Sequence, residues 1–456
     1  MAVMRTSVAG PARMALALAV ALRSVSAQQV GNNTPEVHPH LTTWSCTNGG
    51  GCTPQNTSIV LDSGYRWIHT IGGYQNCNLP GGGLNKTLCP DAATCAQNCV
   101  LEGVNYTATG IHTQSNNSHS SLTLDMYVDG HGSSPRVYLL GEDGNYEALR
   151  LVNREFTFDV DMSKLPCGMN GALYLSEMSL SGGKSGLNRA GAAMGTGYCD
   201  AQCPVADFLN GEANVNRTGA CCNEMDIWEA NSRATALTPH TCNITGVYAC
   251  TGDACNDGPK GGVCDKGGCG YNAYSQGHPN FYGPNGTVDT TRPFTVVTQF
   301  IAGAAAANST HKMTTASKTA NAAEPVLTEI RRLYLQDGRL IANVSSPATA
   351  NATAATSKKS VSNGISITDE FCGNDAFEKL GGLKGMGEAL QRGMVLIFSI
   401  WNDNGQFMNW LDSGNAGPCD AKAGDPALIQ KNNPGTSVTW SNIKWGDIGS
   451  TFKATR

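Results

Sequence analysis

Residues 221–229 read Cys221-Cys222-Asn223-Glu224-Met225-Asp226-Ile227-Trp228-Glu229. Three carboxylates fall within six positions, interleaved with large apolar residues and preceded by a double cysteine. In a regular strand, Glu224, Asp226 and Trp228 share one face while Met225, Ile227 and Glu229 share the other. Exposed acidic runs seldom alternate with Met, Ile and Trp. The apolar second face points to a sheet with one side on a core and the other lining a cleft.

Two carboxyl groups across a cleft suit cleavage of a glycosidic bond. One protonates the leaving oxygen and the other attacks or stabilises the anomeric carbon. A third acid can hydrogen-bond the nucleophile and help keep the pair in unequal protonation states. Regular geometry works against this reading. Glu224 and Glu229 would face opposite ways, roughly 16 Å apart at ~3.3 Å per residue. A retaining mechanism wants its carboxyls about 5–5.5 Å apart. The catalytic reading therefore requires a bulge or bend between Asp226 and Glu229, and bulges gather near active sites. A solvated acidic strand and a calcium site are the competing readings of these residues.

Outward from this stretch the chain reads as all-β. Fifty-four glycines, with frequent Asn, Ser and Thr, mark many turns. Strand-like runs lie between them at 155–162, 172–180, 294–301, 327–336, 394–401 and 437–444. Phe156, Phe158 and Val160 alternate with Thr157, Asp159 and Asp161, as in a half-buried antiparallel strand. Helical periodicity is rare; the best case is 380–392, where Leu383, Met386 and Leu390 recur at i, i+3 and i+7. These patterns predict a β-sandwich. Residues 302–323 and 342–364, rich in Ala, Thr, Ser and Asn, read as long glycosylated surface loops.

The first 27 residues read as a secretory signal peptide. Arg5 and Arg13 precede an apolar run at 14–22, and Val25-Ser26-Ala27 supplies small residues for cleavage. The run is too short for a membrane helix, which needs about 20 apolar residues. Cleavage there leaves Gln28 first, a residue that readily cyclises, and a length sufficient for one large sandwich or two ordinary domains, of which a single domain from 28 to 456 is the expectation. Eighteen cysteines in a secreted chain imply disulfides, and zinc is disfavoured because few His accompany them. Cys221 and Cys222 are adjacent and so call for two partners, with Cys199 and Cys203 the natural candidates. A net charge of −5 leaves no footprint for nucleic acid or an anionic membrane. Eleven Asn-X-Ser/Thr sequons fit an exported glycoprotein.

The three-acid segment resembles the Glu-X-Asp-X-X-Glu signature of glycoside hydrolase family 7, the fungal cellulases. Ala-Asn-Ser (230–232) and Ala-Leu-Thr-Pro-His (236–240) continue the likeness downstream. It extends to Ser-Pro-Arg-Val-Tyr-Leu-Leu (134–140), Phe-Asp-Val-Asp (158–161) and Leu-Pro-Cys-Gly-Met-Asn-Gly-Ala-Leu-Tyr (165–174). Further matches are Gly-Tyr-Cys-Asp-Ala-Gln-Cys-Pro (197–204), Ser-Ile-Trp-Asn-Asp-Asn (399–404), Asn-Trp-Leu-Asp-Ser (409–413) and Trp-Gly-Asp-Ile-Gly-Ser-Thr (445–451). The resemblance runs from about Gln28 to the C-terminus. It implies a curved antiparallel jelly-roll sandwich of the concanavalin-like kind, with long loops forming a substrate cleft. It also implies Glu224 as nucleophile, Asp226 as its supporting acid, Glu229 as acid/base and His240 close to the acid/base. The disulfides it implies are 199–222, 203–221, 46–52, 77–99, 89–95, 167–419, 242–264, 250–255 and 269–372.

Sugars present flat C–H faces, so a polysaccharide cleft needs aromatic platforms as well as acids. By the same resemblance Trp67, Trp401 and Trp410 stack glucosyl units, with Tyr65 where many relatives carry another Trp. Arg136, Tyr174 and Gln202 match polar groups near the cleaved bond. Trp440 and Trp445 are expected in the core. The expected activity is a secreted, retaining endo-β-1,4-glucanase acting as a monomer on β-1,4-glucan, without cofactor or metal and without a separate cellulose-binding module. Only residues 414–418 separate Ser413 from Cys419, where the family's cellobiohydrolases insert a long tunnel-roofing loop. The longer stretch 242–269, with its five cysteines, instead resembles some tunnel-forming members. A reducing-end cellobiohydrolase and a non-catalytic lectin-like sandwich are the alternatives.

Overall fold

The computed structural model describes residues 29–116, 119–303, 325–341, 365–373 and 375–455. The signal segment and most of the two Ala/Thr/Ser/Asn-rich stretches lie outside the described residues, as do the sequons at Asn308, Asn343 and Asn351. The other sequon asparagines are exposed or half-buried.

Two large sheets pack face to face. The eight-stranded sheet runs, in spatial order, Tyr271–Asn272, Thr235–His240, Glu224–Ala230, Met169–Ser176, Met394–Asn402, Arg136–Leu140 and Ser58–Leu61, with Ala148–Leu149 added on Met394–Asn402. The ten-stranded sheet centres on Val326–Gln336, Phe294–Gly303, Arg154–Asp161 and Ser437–Asp447. Pairing within both is antiparallel except where Thr43–Thr47 joins Ser437–Asp447 in parallel. The all-β sandwich expected from the sequence is therefore the observed architecture, and each strand-like run lies on a strand to within a few residues.

Alternation assigns the two faces of the eight-stranded sheet. Leu173 and Leu175 enter the main core between the sheets with Phe156, Phe158, Phe398 and Trp440. Ala172 and Tyr174, one step out of phase, join Tyr138, Val395 and Ile397 on the opposite face. Trp440 and Trp445 are both buried, as expected.

Two departures have physical causes. The strand expected at 172–180 spans Met169–Ser176. It stops because Glu177 leaves the ladder: its backbone N–H donates to Asn223 O at 3.0 Å, and its carboxylate accepts from Asn223 Nδ2 and Arg392 Nε. Thr157, expected on a solvent face, is buried because residue 451 folds over it and hydrogen-bonds its hydroxyl. The helix starts at Gly382 and ends at Arg392, with Leu383, Met386 and Leu390 on its buried face. Gly387 lets that helix press on Leu327, whose Cβ would lie 2.6 Å from any Cβ added there.

All nine disulfides carry the pairing that the resemblance implied, and no described cysteine is free.

Candidate active site

The outer face of the eight-stranded sheet floors a cleft of about 900 Å³. Glu224, Asp226 and Glu229 all line it, which a regular strand forbids. The registers show how. Glu224, Met225 and Asp226 pair with His240, Pro239 and Thr238, but Glu229 pairs with Ala236, leaving Ile227 and Trp228 opposite Leu237. The other ladder carries the same extra residue, between the Leu173–Trp228 and Leu175–Met225 pairs. This is a β-bulge at the position that the catalytic reading of the sequence requires. It places Ile227 and Trp228 together in the core and returns Glu229 to the face of Glu224 and Asp226. Trp228 thus leaves the face that simple alternation assigned it.

Glu224 and Asp226 are buried, while Glu229 keeps an opening to the cleft. Glu224 Oε2 accepts the backbone N–H of Ala201 at 3.0 Å. The 199–203 segment that supplies this donor is tied to the double cysteine by Cys199–Cys222 and Cys203–Cys221. Burial, then the charges of Asp226 and Asp200, push the Glu224 carboxyl up, and the Ala201 N–H works against them by favouring the anion. Glu229 Oε1 accepts from Asn170 Nδ2 at 2.9 Å. Burial first and the Asp226 charge second raise Glu229 to about 8.

His240 does not bond the acid/base candidate. Its Nε2 lies 3.0 Å from Asp226 Oδ2, and its Nδ1 lies 2.9 Å from the carbonyl of Asp265. A carbonyl only accepts, so Nδ1 carries a proton. Burial opposes the charge on His240, but the Asp226 hydrogen bond and charge, the Asp265 carbonyl and the Glu229 charge lift it to about 9. The imidazolium therefore neutralises part of a pocket that is otherwise dense in carboxylates.

The polar residues singled out from sequence come together on one wall. The Arg136 guanidinium lies 3.3 Å from the centre of the Tyr198 ring, and its Nε donates to Asp62 at 2.8 Å. Tyr198 Oη donates to Asp200 Oδ2 at 2.6 Å and lies 2.9 Å from Tyr174 Oη. Gln202 and Lys266 exchange hydrogen bonds, Gln202 Nε2 to Lys266 O and Lys266 Nζ to Gln202 O, each 2.9 Å. Tyr65, Trp401 and Trp410 line the cleft, the two indoles 6.3 Å apart and tilted by 31°.

Trp67 is not among the cleft-lining residues. It stands half-exposed beyond the cavity, stacked 3.9 Å from His69 and followed by Tyr74 at 6.0 Å, with Nε1 on Asn76 Oδ1. Tyr198, Asp200, Asn170 and Lys266 were not singled out from sequence. Tyr198 and Asp200 sit inside the Gly-Tyr-Cys-Asp-Ala-Gln motif and Asn170 inside 165–174, so the motifs held the signal. Only the fold assigns these residues hydrogen-bond partners.

A β-sandwich with one sheet flooring a groove of buried carboxylates and aromatic edges is the architecture of a carbohydrate-handling protein. The sequence profile of glycosyl hydrolase family 7 matches residues 30–452, and the chain belongs to that family. It is 54% identical over 439 residues to a probable endo-beta-1,4-glucanase of Aspergillus clavatus, covering 95% of this chain and 96% of that one. It is 47% identical to endoglucanase EG-1 of Trichoderma longibrachiatum, over 95% of this chain and 82% of the relative. Among solved structures, an endocellulase of Humicola insolens superposes with a TM-score of 0.81 at 45% identity, over 93% of this chain and all of that one. A cellobiohydrolase of Melanocarpus albomyces complexed with cellotetraose gives 0.78 at 32% identity, over 93% and 99%.

Proposed function

We propose that the protein is a secreted endo-β-1,4-glucanase that hydrolyses internal bonds of cellulose and related β-glucans with retention at the anomeric carbon. The observation that carries the reading is the bulge between Asp226 and Glu229, which gives three acids of one strand a common face in the cleft. The carboxylate form of Glu224, which the Ala201 N–H favours against burial, attacks the anomeric carbon and forms a glycosyl ester as the C–O bond to the leaving sugar breaks. Glu229, holding a proton at neutral pH, delivers it to the departing oxygen. Glu229 then takes a proton from water, which attacks the same carbon and releases Glu224. Asp226, paired with His240, stands beside both glutamates and, with burial, helps to raise Glu229 so that it keeps its proton. Arg136, Tyr174 and Gln202 bind sugar hydroxyls, and Tyr65, Trp401 and Trp410 stack glucosyl faces. Nine disulfides and accessible sequons support an oxidising, extracellular compartment.

Attack within chains is favoured by the short connection at 414–418, where Ser413 Oγ bonds Cys419 O directly, and by the endoglucanase relatives. The tunnel-forming alternative draws on the Gln202–Lys266 exchange, which joins the 242–269 stretch to the opposite wall. Proton NMR of the first product tests the mechanism: β-anomer is expected, and initial α-anomer overturns it. Viscosity followed together with reducing ends on carboxymethyl-cellulose tests the mode: rapid viscosity loss per bond cut is expected. A large excess of soluble cellobiose from filter paper favours the cellobiohydrolase instead.

A further inference from the structure

Ile227 is the one residue of Glu224–Ala230 with no cross-strand partner in either ladder. The bulge removes its carbonyl from the sheet while its side chain stays in the core. A buried carbonyl without a donor costs about as much as a lost hydrogen bond. Here the donor is Arg332 Nη2. Arg332 belongs to Val326–Gln336 in the opposite sheet, so its guanidinium crosses the core of the sandwich. It is 1% exposed. Its Nε donates to Thr298 Oγ1 at 3.1 Å and its Nη1 to Tyr334 Oη at 3.4 Å, with the Trp228 ring centre 5.6 Å away.

A buried cation is tolerated only where its donors are occupied. The planar fork of arginine can hold a carbonyl and two hydroxyls at once, whereas the point charge of lysine cannot reach all three in that geometry. The bulge and the arginine therefore satisfy each other, and the guanidinium also lies by the ring of Trp228, the core residue that the bulge redirects.

We propose that Arg332 is a positioning residue for the reaction: by capping Ile227 it holds the bulge, and the bulge sets the facing of Glu229 relative to Glu224. This rests on the assignment of Glu229 as acid/base. A misplaced acid harms only steps that need its proton, whereas general damage to the fold harms every step alike. The test compares cellotetraose, whose leaving group must be protonated, with dinitrophenyl cellobioside, whose leaving group need not be. Active sites are counted by trapping the glycosyl-enzyme with a fluorinated cellobioside. In Arg332→Lys, kcat per trapped site on cellotetraose should fall about 10²-fold with little change in KM, the penalty of a displaced catalytic group. On dinitrophenyl cellobioside the loss should be several times smaller. Thr298→Val, which removes one anchor and keeps the core volume, should move the same ratio the same way by less, and it carries the test if Arg332→Lys does not fold. Equal losses on both substrates, or an unchanged ratio in folded protein, would overturn the proposal. Failure of the native protein to cleave either substrate would overturn the proposed function instead.

Discussion

The floor and the rim of the cleft are built on different physical principles. On the floor, Glu224, Asp226 and Glu229 each accept a hydrogen bond from a fixed partner, His240 donates to the Asp265 carbonyl, and two disulfides anchor the loop that supplies Ala201. On the rim, Tyr65 and Trp410 are 44% and 41% exposed and present ring faces to solvent. The floor is prepared for one arrangement of charge, which lowers a barrier only if it is in place before the substrate arrives. The rim offers area, which binds sugar without discriminating ground state from transition state. Floor substitutions should therefore act on kcat, and rim substitutions on KM.

The largest expected effect is at Glu224. Glu224→Gln removes the proposed nucleophile and should bring turnover on every glucoside below detection while leaving cellotetraose binding measurable by calorimetry. Residual retaining turnover would dissolve the distinction between floor and rim at its centre. Glu229→Gln should lower kcat on cellotetraose by about 10²–10⁴-fold, the usual contribution of a general acid, and far less on dinitrophenyl cellobioside. The native alkaline limb should fall as pH rises through about 8, where Glu229 loses its proton. In Glu229→Gln that limb should vanish for the activated substrate, and a persistent limb would reassign the acid.

Releasing the loop behind Glu224 tests whether the floor needs its anchorage. Cys199→Ser with Cys222→Ser should cost about 2–4 kcal/mol of stability, depending on the loop closed. It should also lower kcat more than it raises KM, because Ala201 no longer holds its N–H on Glu224. An unchanged kcat in the folded variant would show the anchor to be structural only.

Stability should carry the signature of the floor as well. Glu229 binds a proton more tightly folded than unfolded, so its protonated form favours the fold below the ordinary glutamate range and that advantage is lost as pH rises towards about 8. The raised His240 acts in the same sense, its contribution present below the ordinary histidine pKa and lost through about 9. Thermal midpoints should thus decline from mildly acidic to alkaline pH, and Glu229→Gln should flatten the slope. The smallest effects belong to the rim. Trp401→Ala and Trp410→Ala should each weaken cellotetraose binding by about 1 kcal/mol beyond the area lost, with kcat little changed. A kcat effect matching that of a floor residue would erase the contrast.

Strand periodicity and cysteine content sufficed for a disulfide-bonded β-sandwich, and the acids at 224, 226 and 229 marked the candidate site. These properties are local or additive: alternation depends on neighbours two residues apart, and three carboxylates stay three carboxylates in any fold. The need for a bulge was also legible, because strand geometry forbids Glu224 and Glu229 a common face without one. How the bulge is held was not legible, since Arg332 lies over a hundred residues from Ile227 and meets it only across the packed core. The same is true of His240 bonding Asp226 rather than Glu229, of the Arg136–Tyr198–Asp200 wall and of Trp67 standing outside the cavity. Each depends on which strand neighbours which and on what excludes water there. Hydrogen bonding and desolvation are properties of a place, and only the tertiary structure makes the place.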